Sequence, residues 1–126
     1  MISFIVTHEA HYDHFSKIWF HLKKDEFNVI TFDLEKNFID KSKLDNLSKF
    51  NCIDYRNLKN LVFDVSLSFA FPHPKLIELN IYKKNFKSNF LYTIFSSEKS
   101  ILQTEQYKHF DKFLVFNEYT YEFLSN

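Results

Sequence analysis

Ile2-Ser3-Phe4-Ile5-Val6 is followed by Thr7-His8-Glu9-Ala10, and then by Phe15, Ile18, Trp19 and Leu22 at i, i+3, i+4 and i+7. A short run, apolar in nearly every position and rich in β-branched residues, has the signature of a strand buried on both faces. The spacing that follows places one apolar stripe along a helix, with Lys23, Lys24 and Asp25 closing it. A doubly buried strand that leads directly into an amphipathic helix is the opening unit of a parallel α/β sheet.

The same alternation continues outward from this unit. Phe27–Leu34 is a second apolar strand with Asp33 and Glu35 at its exit, and Asp40 is placed to cap a short helix carrying Leu44 and Leu47. Cys52–Leu61 fits a short strand and a turn of helix. Val65–Phe71 is a strand stopped by Pro72-His73-Pro74, because proline cannot continue the ladder. Lys75–Phe86 is expected to be one helix with Leu76, Ile77, Leu79 and Ile81 inward. Phe90–Phe95 and Phe113–Phe116 are further strands, separated by a polar segment over Ser97–Tyr107 that carries a short helix, and Asn117 caps a last helix from Glu118. The expectation is a single α/β domain over 1–126. Its Rossmann-like open parallel sheet of five or six strands has helices on both faces, ordered 3-2-1-4-5-6, with Ile2–Val6 beside Val65–Phe71.

Composition narrows the function. Lys plus Arg and Asp plus Glu both number 16, and Arg56 is the single arginine, so no clustered basic field points to nucleic acid as a partner. Glycine is absent from all 126 residues, where average usage of roughly 7% would give about nine. That excludes the glycine-dependent phosphate loops and the nucleophile elbow, and no cofactor is expected. The 17 phenylalanines are read as core filling. Cys52 is the lone cysteine, which fits a reducing compartment and an inert packed thiol. No apolar stretch approaches the about 20 residues of a membrane span. A cytoplasmic protein, at most peripheral at the inner face of a membrane, is the expectation.

In an open α/β sheet, ligands bind in the crevice outside the carboxyl ends of the strands. His8 and Glu9 leave the first strand there, His73 leaves the fourth, Ser97, Glu98 and Lys99 leave the fifth, and Asn117 and Glu118 leave the sixth. His11, His14 and His21 follow on the first helix, His11 at the edge of its buried stripe and the other two on a polar flank. They fall on different faces or turns, so a metal site is not assigned.

Two segments resemble bacterial GT-B transferases. Phe110-Asp111-Lys112-Phe113-Leu114-Val115-Phe116-Asn117-Glu118-Tyr119 is similar to a strand-to-helix step of that group. Phe63-Asp64-Val65-Ser66-Leu67-Ser68, with Pro72-His73-Pro74 behind it, is similar to an earlier strand and its loop. Thr7-His8-Glu9-Ala10-His11-Tyr12, with Phe15, Ile18 and Trp19, resembles the opening of the same half-domain. The resemblance is to CDP-glycerol glycerophosphotransferases and related capsule-polymer glycosyltransferases. It departs at Phe95-Ser96-Ser97-Glu98-Lys99, where that family carries a His-Gly pair.

The resemblance implies the acceptor-binding half of a transferase for cell-surface polysaccharide, inactive alone. Its partner would be a glycan acceptor, and a nucleotide-sugar or CDP-glycerol donor would need a second domain. In that reading His8 is the base at the acceptor hydroxyl, with Glu9 or His73 orienting it, and His11, Ser97, Glu98, Lys99, Asn117 and Glu118 contact substrate. Tyr119, Tyr121, Phe123 and Leu124 crowd the last helix and are expected to mediate self-association or dock a partner domain. A stand-alone flavodoxin-like binding or interaction module without catalysis is the alternative.

Overall fold

A computed structural model describes residues 1–32, 39–69, 73–93 and 108–115. Strand β1 spans Ile2–Val6, helix α1 Glu9–Trp19, β2 Phe27–Thr31, α2 Lys41–Leu47 and β3 Cys52–Asp54, which a 3-10 turn at Tyr55–Asn57 follows. Then come β4 over Phe63–Phe69, α3 over Pro74–Glu78, α4 over Ile81–Lys84, β5 over Phe86–Thr93 and β6 over Lys112–Val115. The six strands form one sheet in the order β3-β2-β1-β4-β5-β6, and every described pairing is parallel. This is the expected Rossmann-like architecture, with β1 and β4 in register at Ile2↔Val65 and Phe4↔Leu67.

Alternation along the strands sends side chains to two cores. Phe4, Val6, Phe27, Val29 and Leu67 face α1 and α2, where they meet Phe15, Trp19 and Leu47. Ile5, Ile30 and Leu91 face the other way, onto Leu58, Leu76, Ile81 and Tyr82. The chain moves from β1 toward β3 under one helical layer and from β4 toward β5 under the other. Right-handed crossovers require this change of face once the direction of travel reverses. The reversal lies between β1 and β4.

Several boundaries differ from the sequence expectation. Helix α1 starts immediately after the exit of β1 and buries His11, Tyr12, Phe15 and Trp19, while Ile18 is 39% exposed. At 100° per residue the buried positions centre between Phe15 and Trp19, which leaves Ile18 at the rim. The helix ends at Trp19, before Lys23–Asp25. The single helix expected over Lys75–Phe86 is two short ones, broken where Asn80 takes a left-handed backbone (φ 59°), and Leu79 points outward. Strand β5 begins at Phe86, four residues before Phe90, because Phe63↔Phe86 and Ser66↔Asn89 pair it with β4 from that point. Strand β4 likewise starts at Phe63, whose N–H donates to the Asn85 carbonyl. Strand β2 ends at Thr31, and β6 runs one residue ahead of its expected span. The helices expected within Ser97–Tyr107 and after Glu118 lie outside the described residues, as does the apolar C-terminal cluster from Tyr119 to Leu124.

Asp40 caps α2 as expected, its carboxylate accepting from the Ser42 N–H at 2.8 Å. Lys43 binds both Glu9 and Asp13 and so ties α2 to α1. Those two carboxylates hold the Lys43 ammonium above its usual range, Asp13 first.

A polar position inside β5 is explained by its bonds. Asn89 is buried, accepts from the Ser66 hydroxyl at 2.6 Å and donates to the Tyr82 carbonyl at 2.7 Å, and its N–H donates to Asp111. Replacing it by alanine strands a buried hydroxyl and a buried carbonyl, for an expected loss of about 2 kcal/mol. Adding Ser66→Ala should recover part of that loss. Denaturant titration of the single and double variants measures both, and an unchanged midpoint for Asn89→Ala would show that these bonds contribute nothing net.

Candidate functional site

The carboxyl ends of β1 and β4 bracket the point where the sheet reverses its winding, and imidazoles collect there. His8 leaves β1 as the N-cap position of α1, with an extended backbone and no side-chain cap bond to the helix. His11 follows one turn later and is buried at 6% exposure. His73 arrives from the β4 side. The ring centres of His8 and His11 are 5.3 Å apart, and those of His8 and His73 are 6.4 Å apart.

Thr7, the last residue before the crevice, joins two of them. Its N–H donates to His11 Nδ1 at 3.2 Å, and its hydroxyl lies 3.1 Å from the same atom and 2.8 Å from His8 Nδ1. Because His11 Nδ1 accepts a backbone N–H, it carries no proton. Burial is the main reason that the His11 pKa falls from 6.5 to about 4, and the neighbouring charges of His8, His73 and His14 push it the same way. His11 is therefore neutral and accepts at Nδ1. These bonds are all satisfied when the Thr7 hydroxyl donates to His11 and accepts from His8 Nδ1–H. That assignment leaves His8 Nε2 as the unprotonated nitrogen. His8 is exposed, and its Nε2 makes no hydrogen bond among the described residues.

His73 has a second role. Its Nδ1 accepts from the Lys75 N–H at 3.1 Å and its backbone N–H donates to Tyr82 Oη, so it caps α3 with Pro74 in the first turn. The Pro-His-Pro segment, expected as a strand stop, is thus also a helix start. Proline in the first turn was the available signal.

Aromatic rings extend the crevice on both sides. Phe32 at the exit of β2 lies 4.0 Å from His73 and stacks at 4.0 Å on Tyr55, which follows β3. On the other side Phe69 of β4 meets His11 at 5.6 Å, and His14 packs 4.5 Å from both Phe69 and Tyr92. His14, expected on a polar flank, is half-buried against these rings, and burial lowers its pKa. His21 is exposed beyond the end of α1.

Of the residues singled out in the sequence, His8, His11 and His73 come together. The Glu9 carboxylate is held by Lys43 on α2. Ser97, Glu98, Lys99, Asn117 and Glu118 lie outside the described residues. Thr7, Phe32 and Phe69 were not anticipated. Thr7 carried a usable signal, since the residue that ends a strand at a switch point is placed to touch the ligand edge. Phe32 and Phe69 were indistinguishable from core phenylalanines.

Among the described residues no group of three or more His, Cys, Asp or Glu is arranged to hold a metal ion. No described helix is long and apolar enough to cross a membrane. Cys52 donates to the Leu47 carbonyl at 3.0 Å, and burial raises its pKa to about 11, so it stays a thiol at neutral pH and is no nucleophile. Clefts also lie away from His8, His11 and His73. One of about 260 Å³ runs along Tyr82, Asn89 and Asp111, and one of about 340 Å³ lies between the 3-10 turn and α4. No protein-family model, curated protein or solved structure matches the chain.

Proposed function

We propose that this chain is the acceptor-binding domain of a group-transfer enzyme acting on a hydroxyl-bearing polymer such as a cell-surface glycan, with His8 as general base. The observation that carries the reading is the Thr7-mediated coupling of His8 to a neutral His11 at the switch point of the sheet. A general base needs an unprotonated nitrogen within reach of substrate and a fixed tautomer. His11 supplies the tautomer at one remove. As an acceptor it orients the Thr7 hydroxyl, which in turn holds the proton on His8 Nδ1.

In the proposed step His8 Nε2 takes the proton of the acceptor hydroxyl as that oxygen attacks the donor, and the nucleotide leaves with the bonding electron pair. The imidazolium so formed is stabilised through Nδ1–H to Thr7 Oγ1. His73 would bound the acceptor from the β4 side. The donor comes from a second domain, so this polypeptide by itself is expected to turn over neither CDP-glycerol nor a nucleotide sugar.

Histidine ring resonances, followed while a glycerol-phosphate oligomer or a neutral oligosaccharide is titrated, provide the test. Shifts confined to His8, His11 and His73, and lost in Thr7→Val, are the expected result. Undisturbed rings with both probes would remove the acceptor site. Donor turnover by this polypeptide alone would remove the half-enzyme reading. A stand-alone binding module is the second reading, favoured by a six-stranded sheet that covers both faces with its own helices. It predicts ring shifts with a ligand but no transfer with any added donor domain.

A further inference from the structure

The cleft of about 340 Å³ runs from Tyr55, behind β3, to the residues that lead into β4 and β5. Its floor is apolar, with Leu58 and Ile81 buried, and Leu79 stands at its edge 45% exposed. Two lysines, Lys59 and Lys84, also line it, and neither has an ion-pair partner among the described residues. Arg56 lines it too, but its guanidinium is engaged by both Asp54 carboxylate oxygens, at 2.8 and 2.9 Å.

The backbone around this cleft is unusual. The chain contains no glycine, and its two left-handed residues among the described ones are Lys59 (φ 45°) and Asn80 (φ 59°). Lys59 is in the cleft wall, and Asn80 sits between Leu79 and Ile81, which both line it. A lysine in this conformation is strained, because its Cβ crowds the following carbonyl, and such strain persists only where surrounding structure imposes it. Asn85 imposes it here. It is 2% exposed, and its Nδ2 donates to the Lys59 carbonyl at 3.1 Å and to the Leu61 carbonyl at 2.7 Å. A buried side chain thus clamps a strained loop so that an unpaired cation borders an apolar floor. Folding alone would be served as well by asparagine or glycine at position 59.

We propose that this cleft is a second binding site, for a small molecule carrying one phosphate or carboxylate on a short apolar body. Lys59 and Lys84 take the anionic head, and Leu58, Leu79 and Ile81 take the body. A volume near 340 Å³ is at the small end of ligand pockets, which suits a body of several carbons. No histidine lines the cleft, its one residue shared with the imidazole crevice is Tyr55, and the site does not depend on the transferase reading.

Hexyl phosphate and hexanoate are the probes, with inorganic phosphate and hexanol as the two halves, followed by amide shifts and calorimetry. Hexyl phosphate or hexanoate should move the amides of Lys59, Ile81, Lys84 and Asn85. Each half alone should bind at least tenfold more weakly. Whichever of the two probes binds identifies the head group. Lys59→Asn keeps a residue that tolerates the left-handed backbone and removes the charge. Combined with Lys84→Gln it should weaken binding about tenfold without lowering the melting temperature. Leu79→Gln, at an exposed position, should weaken it by a similar factor through the apolar half. Unmoved amides with both probes would overturn the proposal. So would hexanol binding as well as hexyl phosphate, or full affinity in the charge-removed variant.

Discussion

Acidification from pH 7 to pH 4 is expected to cost the fold about 3 kcal/mol through His11 alone. In the folded protein the His11 pKa is lowered from 6.5 to about 4, first by burial and then by the charges of His8, His73 and His14. Above pH 6.5 the ring is neutral in both the folded and unfolded chains and contributes no pH dependence. Between 6.5 and about 4 the unfolded chain binds a proton that the folded one refuses, so each pH unit costs about 1.4 kcal/mol. The stability is fully present above 6.5 and is lost as pH falls toward 4. His11→Asn isolates this term, because an asparagine oxygen can accept the Thr7 N–H in place of Nδ1 and does not titrate. Urea midpoints at half-unit pH steps should show a steep acid limb in the parent and a flatter one in the variant. Equal slopes would mean that His11 takes up its proton without resistance, and the neutral acceptor that fixes the His8 tautomer would go with it.

Trp19→Ala should be the most damaging single truncation in the core, at about 4 kcal/mol. Trp19 is 1% exposed at the end of α1. Its ring packs on Phe4, Tyr12, Phe27 and Phe50, with centres 5.2 to 6.0 Å away. It therefore joins β1, β2, α1 and the segment after α2. A domain of this size has a total stability of about 5–15 kcal/mol, so the variant loses a large part of its margin. Trp19→Phe should cost far less than the alanine change. It keeps most of the aromatic volume and removes an indole N–H that is buried with no hydrogen-bond partner among the described residues. Thermal melts by circular dichroism compare the two, since Trp19 is the chain's single tryptophan and its fluorescence disappears with it. If phenylalanine proved as destabilising as alanine, the loss would come from indole shape or an unrecognised N–H bond, not from packed volume.

The transferase and anion-site readings make separable claims. One rests on imidazoles at the carboxyl ends of β1 and β4, the other on lysines beside the residues that lead into β4 and β5. A ligand that shifts histidine rings and leaves the Lys59 and Lys84 amides in place speaks only to the first.

The parallel sheet, its strand order and the place of its switch point were legible in the residue order. Apolar runs such as Ile2–Val6 and Phe27–Thr31 alternate with helical spacing, and right-handed crossovers leave few ways to arrange them. His8 and His73 could be placed at one edge for the same reason. What periodicity cannot carry is a contact between residues far apart in the chain. Phe86 is expected to end a helix and Lys87–Asn89 carry no strand pattern, and only backbone pairing with β4, from Phe63↔Phe86 onward, makes them strand. The helix expected over Lys75–Phe86 breaks at Asn80, inside an otherwise helical spacing. His14 is expected on a polar flank of α1, but Phe69 of β4 and Tyr92 of β5 pack against it. Local pattern marks out the strands and helices and their apolar stripes. The protonation of His11, the tautomer of His8 and the strain at Lys59 depend on neighbours that only the folded chain assembles, because burial and hydrogen bonding are properties of the packed environment.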